Sequence, residues 1–458
     1  MNNTELDVKI IELDRAREAE ARSPEFTDDA LALHFAEKHK DSLRYVAALG
    51  RWLIFDGMRW RYDETLTARD YARKICREAS VRCKNKSAKT IASAKTVAAV
   101  ERLAQSDRRI AATVDQFDAD PWLLNTPDGI LDLRSGEMSE HDSGAYLTKI
   151  TGVAPDDSCP MPTWHAFLNR IMGDHGEVIN YLQRVAGYSL TGSTQEHALF
   201  FCYGLGANGK TTFLNAITTC AGDYHRAAPI ETFTASNHDQ HPTELAGLRG
   251  ARLVTATETE EGRRWAESRI KSLTGGEKIA ARFMRQDFFE YTPQFKLIIA
   301  GNHKPGLRSV DEAIRRRFNL IPFTVTIPPE DRDGTLPAKL KAELPGILAW
   351  MIAGCSDWLE RGLAPPQAVT DATVAYLEAE DAIAAWLEEA GERDLNAWEK
   401  SSDLFASWVA WATKAGEYIG SQKRFSQNLE TRGLSLERRD YGRGYRGLRL
   451  LPSGYGNR

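Results

Sequence analysis

Long apolar runs are missing from this chain of 458 residues. The longest is Ile347 to Ala353, seven residues, against the ~20 needed to cross a bilayer. The acidic start, MNNTELDVKIIELD, lacks the basic-then-apolar pattern of a signal peptide. The six cysteines, at 76, 83, 159, 202, 220 and 355, form no Cys-x-x-Cys pair, so neither a zinc site nor a disulfide framework is expected. A basic excess is absent too: 59 Lys and Arg face 64 Asp and Glu, a net charge of −5. Bulk charge therefore does not hold the chain on nucleic acid, although local basic patches remain open. No repeat with a period of tens of residues is evident. With 42% apolar and 27% charged residues, the composition is that of an ordinary globular protein. The expectation is a cytoplasmic protein with reduced thiols, no membrane partner and about three domains at ~150 residues each.

Punctuation along the chain divides it further. Residues 1–26 read as a flexible or helical arm ending near Ser23-Pro24. Thr27 can cap a helix carrying Leu31 and Phe35. The aromatic and β-branched stretch from Leu43 to Tyr62 reads as strands with a turn at Asp56-Gly57. A helical stretch follows, in which Arg73 to Lys95 holds eight Lys or Arg against one Glu, a net of +7. LLNTPDGILDLRS is a second strand-and-turn segment, and the Pro-rich stretch 155–162 marks a boundary near 160. Residues 27–160 are thus expected to form an α+β domain. From 161 to 325, apolar strands (HALFFCYG, ARLVTATE, FKLIIAGN, FNLIPFTV) alternate with helices, the pattern of an α/β domain with a central sheet. Residues 326–380 read as a helical lid or connector, and 381–458 as two helices and a Gly- and Arg-rich strand pair.

The chemistry concentrates in the α/β stretch. Gly204-Leu205-Gly206-Ala207-Asn208-Gly209-Lys210-Thr211 fits G-x-x-x-x-G-K-[ST], preceded by an apolar strand and followed by the helix TTFLNAITTC. Glycines at 204, 206 and 209, with Ala207, Asn208 and Thr212, would let backbone N–H groups converge on phosphates at a helix N-terminus. Lys210 would bridge the β- and γ-phosphates and the Thr211 hydroxyl would ligate Mg²⁺. ATP and Mg²⁺ are therefore the expected cofactors. The strand Arg252-Leu-Val-Thr-Ala-Thr-Glu258 ends in acid and runs into Thr259-Glu260-Glu261. Beside the loop, an acid such as Glu258 could hold Mg²⁺ and a second polarise the attacking water, with Glu258 and Glu260 as the candidates and the choice of water activator open, although solvated glutamates opening a helix would look the same. Asn302 closes the strand FKLIIAGN as a candidate γ-phosphate sensor. Arg315-Arg316-Arg317 precede the strand FNLIPF, and guanidinium groups there could stabilise transition-state charge within the chain or from a neighbouring subunit. Between these strands, KSLTGGEKIAARFMR reads as a β-hairpin from Lys271, with Lys278, Arg282 and Arg285 as cations able to grip a phosphate backbone. A merely solvated hairpin is the alternative.

In this order, GLGANGKT, RLVTATETEEG, IKSLTGGEKIAARF, FKLIIAGNHKP and DEAIRRRFNLIPF resemble the superfamily 3 helicases, most closely the poxvirus-type ATPase domain of phage and plasmid primase-helicases. Residues 27–62 and LLNTPDGILDLRSG resemble the domain that precedes that motor, and SSDLFASWVAWATKAG to GRGYRGLRL the small domain that often follows it. The resemblance implies a AAA+-like P-loop core assembled head to tail into a ring, typically a hexamer, moving 3′ to 5′ on single-stranded DNA. It implies Glu258 and Glu260 as the acidic motif, Asn302 as sensor, and Arg316 and Arg317 ahead of Arg315 as arginine fingers. Lys271, Lys278, Arg282 and Arg285 fall on the DNA-facing hairpin. A primase-polymerase module has no room ahead of residue 27, so a separately encoded primase is an expected partner.

The segment 422–458 carries nine Lys or Arg against three acids, a net of +6. It is compatible with a winged-helix DNA-binding domain or with a solvated basic tail. The expected function is an ATP-dependent helicase acting on single-stranded and forked DNA for a phage, prophage or plasmid in a bacterial host. An ATP-gated origin-binding or loading factor is the alternative. A small-molecule kinase is disfavoured by the hairpin and the arginines.

Overall fold

The computed structural model describes residues 25–83, 87–173, 175–235, 243–257, 263–283, 287–307, 310–394, 396–440 and 442–451. Most of the N-terminal arm, residues 1–24, lies outside them. The chain forms two compact units, residues 1–155 and 156–458. No helix among the described residues is long and apolar enough to cross a membrane, and all six cysteines are free thiols.

In the first unit, helix α1 (Asp28–His39) begins where the Thr27 hydroxyl accepts from the Ala30 N–H at 3.2 Å. It buries Leu31, Ala32, Phe35 and Ala36. Strands β1 (Leu43–Val46), β2 (Arg51–Phe55) and β3 (Trp60–Tyr62) pair antiparallel, and the Asp56-Gly57 turn joins the last two. Helix α2 (Thr67–Arg82) buries Ala68, Ala72, Ile75, Cys76 and Ala79 at helical spacing, and α3 (Ala94–Ala104) closes the same core with Val97 and Val100. Strand β4 (Ala111–Ala112) adds parallel to β1. A second sheet, β5 (Leu123–Thr126), β6 (Gly129–Asp132) and β7 (Met138–Ser139), turns at Pro127-Asp128.

The second unit opens with α4 (Pro162–Met172) and α5 (Gly176–Tyr188). The buried Glu343 carboxylate accepts from the Thr163 and Trp164 N–H groups at 3.0 and 2.7 Å, supplying from far along the chain the partners that the start of α4 lacks. The parallel strands are β8 (Leu199–Tyr203), β9 (His225–Ala227), β10 (Leu253–Thr257), β13 (Lys296–Gly301) and β14 (Phe318–Pro322), in the order β14-β8-β13-β10-β9. Helix α6 (Lys210–Ala221) leaves β8, and α7 (Glu267–Thr274) follows β10. The hairpin β11 (Ile279–Ala281) and β12 (Phe289–Tyr291) comes before β13, and the short α8 (Glu312–Arg315) before β14. The central strands are near-continuous apolar runs because both faces of the sheet are covered.

Lys271 was expected at the start of the hairpin; it lies instead on α7. Ile270, Leu273 and Thr274 recur at helical spacing and are buried, so the chain stays helical up to Gly275-Gly276. The residues read as a helical connector join the sheet's own body. Helix α9 (Leu344–Arg361) packs along α5 and α6, and α10 (Gln367–Ala379) packs on β14. The Trp265 indole N–H donates to the Tyr376 hydroxyl at 2.9 Å. Beyond them come α11 (Ala382–Ala390), β15 (Gly391–Glu392), β16 (Trp398–Lys400), α12 (Ser401–Ala415) and α13 (Gln422–Thr431). Strands β17 (Ser435–Arg439), β18 (Gly442–Arg446) and β19 (Arg449–Leu450) complete it, with β16-β18-β17 as an antiparallel sheet. Trp386, Leu404, Trp408, Phe425, Leu429 and Tyr445 form its core.

Helices α5 and α9 nearly touch backbone to backbone. A methyl on Gly187 would lie 2.1 Å from the Cys355 nitrogen, and one on Gly354 2.1 Å from the Gln183 carbonyl oxygen. Neither obstacle is a side chain that could turn away. Gly354→Ala is therefore expected to cost about 1–3 kcal/mol or more, read as a lower urea midpoint. Gly334→Ala, where the added methyl meets nothing within 4 Å, should stay within about 0.5 kcal/mol of the parent.

Candidate functional site

The site lies at the C-terminal ends of β8, β13 and β10, the edge of a parallel sheet where ligands bind. The three ends are level: Tyr203 pairs with Gly301, and Ala300 with both Cys202 and Thr257. The acidic strand was expected beside the phosphate loop. The structure puts β13 between them, so Asn302 neighbours the loop and the end of β10 stands two strand spacings away, roughly 9–10 Å. Sequence order could not reveal this, because adjacency in a parallel sheet need not follow the chain.

The loop is held from both sides. Gly209 caps α6 with φ +82°, and a methyl there would strike the Ile171 side chain of α4 at 2.4 Å. A methyl on Gly204 would meet the Phe323 carbonyl oxygen at 2.1 Å. The Asn208 side-chain amide donates to that same carbonyl at 3.1 Å, and the Ile327 N–H donates to the Ala207 carbonyl at 2.8 Å. Gly206 and Ala207 also have positive φ. Asn208 thus fastens the loop from inside, a role its place in the motif did not disclose.

Lys210, the first residue of α6, is 6% exposed. Its ammonium donates to the Gly204 carbonyl at 2.6 Å, to Asn208 Oδ1 at 3.0 Å and to Asn302 Oδ1 at 3.2 Å. All three acceptors are neutral, and no carboxylate among the described residues pairs with it. Burial accordingly holds its pKa below the usual lysine value. A desolvated cation whose partners among the described residues are all neutral, at the N-terminus of a 12-residue helix, attracts an anion. Phosphate oxygens fit this donor set. Thr211 is exposed and Thr212 half-buried in the first turn of the same helix. Thr257 marks the described end of β10; Glu258 and Glu260 lie outside the described residues.

The three arginines differ in environment. Arg317 is buried: its Nε donates to Thr274 Oγ1 at 3.1 Å and its Nη1 to the Ala313 carbonyl at 2.7 Å. Expected as a finger, Arg317 is an internal clamp between α7 and α8, because its guanidinium is consumed inside its own subunit. Arg315 reaches Asp381 at 3.4 Å. Arg316 is exposed.

On the hairpin, Lys278 is exposed and Arg282 sits 4.6 Å over the Phe288 ring. Phe283 and Phe288 are 40% and 60% exposed. Arg285 lies outside the described residues, and Lys271 is tied to Asp311 rather than presented on the hairpin. The exposed phenylalanines were missed in the sequence, although the interleaved FMRQDFF carried the signal. Lys304, 4.5 Å over the Tyr203 ring at the end of β8, was missed as well.

Comparison with known proteins gives the site its context. Residues 32–173 match the family described as D5 N terminal like, and residues 202–317 a family of unknown function, DUF5906. A protein of Acanthamoeba polyphaga mimivirus that carries a helicase name is 25% identical over 283 residues, 57% of this chain and 29% of its own length. A helicase-named protein of Frog virus 3 is 25% identical over 313 residues, 63% of this chain and 31% of its own. The chain thus spans less than a third of the length of these relatives. Among solved structures, the apo C-terminal region of NrS-1 superposes with a TM-score of 0.51 at 11% identity, covering 93% of this chain and 100% of that one, a likeness of fold. The D5-like match over residues 32–173 and the helicase-named viral relatives support a likeness to the D5-type superfamily 3 helicases.

Proposed function

We propose that this chain is the ATP-driven motor of a DNA helicase. The observation that carries the reading is the buried Lys210 ammonium, which bridges the phosphate loop and Asn302 and whose acceptors among the described residues are neutral oxygens. Lys210 and the N–H groups of Gly206 to Thr212 would hold the phosphates of ATP. The Thr211 hydroxyl, with Glu258, would hold Mg²⁺, which when bound neutralises charge on the β- and γ-oxygens. Asn302 already touches Lys210 and would sense the γ-phosphate, and Glu260 would orient the attacking water. The strand order, with the sensor strand between loop and acid, supports a AAA+-like core because it leaves room for the γ-phosphate and water between them.

Arg316 is the arginine left free to reach a neighbouring subunit in a closed ring, taken here as a hexamer. Lys278, Arg282 and the exposed Phe283 and Phe288 would grip single-stranded DNA by charge and stacking. The order helix, strand, two helices, strand pair over 382–446 supports a winged-helix-like C-terminal domain for forked or origin DNA. We place the motor in replication initiation of a mobile element in a bacterial cell, moving 3′ to 5′ beside a separately encoded primase. The same C-terminal order favours, as second reading, an ATP-gated loader that melts or encircles an origin.

Three measurements test this. In thermal unfolding, ATP–Mg²⁺ at 100 times its Kd should stabilise the parent by about 2.7 kcal/mol. Lys210→Met should abolish that gain, because it removes the ammonium that would meet the phosphates. In strand displacement, a fork with a 3′ tail should be opened with ATP, and Lys210→Ala should slow turnover by at least about 100-fold. Phe288→Ala should weaken single-strand binding by about 1–3 kcal/mol. Hydrolysis without displacement on forks of either polarity would favour the loader, and ATP turnover indifferent to DNA would sink both readings.

A further inference from the structure

Three consecutive arginines at the end of one short helix have three different fates, and one of them links the motor to the C-terminal domain. Helix α8 is anchored at its start by Asp311, whose carboxylate accepts from the Ile314 N–H at 2.9 Å and pairs with Lys271 of α7. Arg317, just past its end, is clamped to Thr274 of the same α7. Arg315 points the other way, to Asp381.

Asp381 is 7% exposed and serves three partners. It caps α11 by accepting from the Ala384 N–H at 3.2 Å. One guanidinium nitrogen of Arg432, at the end of α13, lies 2.5 and 2.6 Å from its two carboxylate oxygens. Arg315 is held more loosely, at 3.4 Å on Oδ2, and is 38% exposed. Two cations thus compete for one buried carboxylate, and the C-terminal domain's cation holds the closer place. Arg432 belongs to α13: its Nη1 donates to the Asn428 carbonyl at 3.0 Å, and Phe425 and Leu429 root that helix in the C-terminal core. A cleft of about 880 Å³, lined by Asp311, Glu312 and Arg315 on one side and Lys423, Gln427 and Arg432 on the other, leaves α13 room to shift.

We propose that Asp381 is a positioning residue for the arginine finger. When DNA on the C-terminal domain draws α13 and Arg432 away, the Asp381 carboxylate passes to Arg315, fixing α8 at both ends and aiming Arg316 across the subunit boundary. The proposal rests on the reading of Arg316 as the finger. It makes the ligand-free state a brake, released by occupancy of the C-terminal domain.

The test uses the full chain, with ATP affinity and turnover measured without DNA and with saturating forked DNA. Arg432→Gln frees Asp381 for Arg315, so turnover without DNA should rise by about five-fold, DNA stimulation should shrink to match, and ATP affinity should stay unchanged. Asp381→Asn keeps a good helix cap but offers Arg315 no charge. It should lower turnover with and without DNA toward the level of Arg316→Ala, again at unchanged affinity. Opposite signs for the two variants are the signature. Movement in the same direction, or parental turnover in both, overturns the proposal, and Arg432→Gln decides alone if Asp381→Asn fails to fold. Should the parent turn over no ATP, or Arg316→Ala prove indifferent, the functional reading itself fails. Should both controls behave while Arg432→Gln matches the parent, only the relay fails.

Discussion

A single ammonium group organises the second unit. Lys210 is covalently part of α6, hydrogen-bonded to the loop that precedes it, and bonded across to Asn302 at the end of the neighbouring strand. Burying that charge without a carboxylate is costly unless every proton is satisfied, and the three acceptors can be in place only if β8 and β13 end level. The sheet register, the fastening of the loop to Phe323 and the wedge of α4 under Gly209 all serve that requirement. Among the described residues no carboxylate pairs with this charge, and its surroundings accordingly suit an anion.

Much of this was legible in the residues, for identifiable reasons. The phosphate loop is a local device: its glycines, lysine and threonine are consecutive, and the flanking strand and helix announce themselves by apolar run and helical spacing. The Thr27 cap and the turns at Asp56-Gly57 and Pro127-Asp128 are equally local and stand where the sequence puts them. What the sequence could not yield is non-local. Nothing in the spacing of Glu258 and Asn302 says that the later strand inserts between the earlier two. Nothing in Arg-Arg-Arg tells a core clamp from a solvent-facing finger, because one residue of rotation on a short helix decides between Thr274, Asp381 and open solvent. Lys271 was misread for the opposite reason. Its basic neighbours suggested an exposed strand, while the buried Ile270 and Leu273 held it on a helix.

The division of labour among the arginines also shows what so short a helix depends on. Four residues of helix carry little stability of their own. Helix α8 is bonded closely to the longer α7 through Lys271 and Thr274 and only loosely, at 3.4 Å, to Asp381 at the start of α11. The exposed Arg316 inherits its direction from contacts that it does not itself make.

Parallel strands side by side cannot be joined by a tight turn; the chain must travel the length of the sheet to begin again. Strands β10 and β13 are such a pair, so their connection, residues 258–295, is slack that the topology imposes whether or not it is used. This chain has spent it on α7 and the β11–β12 hairpin. The hairpin is therefore not an appendage. It grows from the return path between two neighbouring parallel strands, at the edge of the sheet where β13 begins, so the same pairing that sets the strand order sets its position.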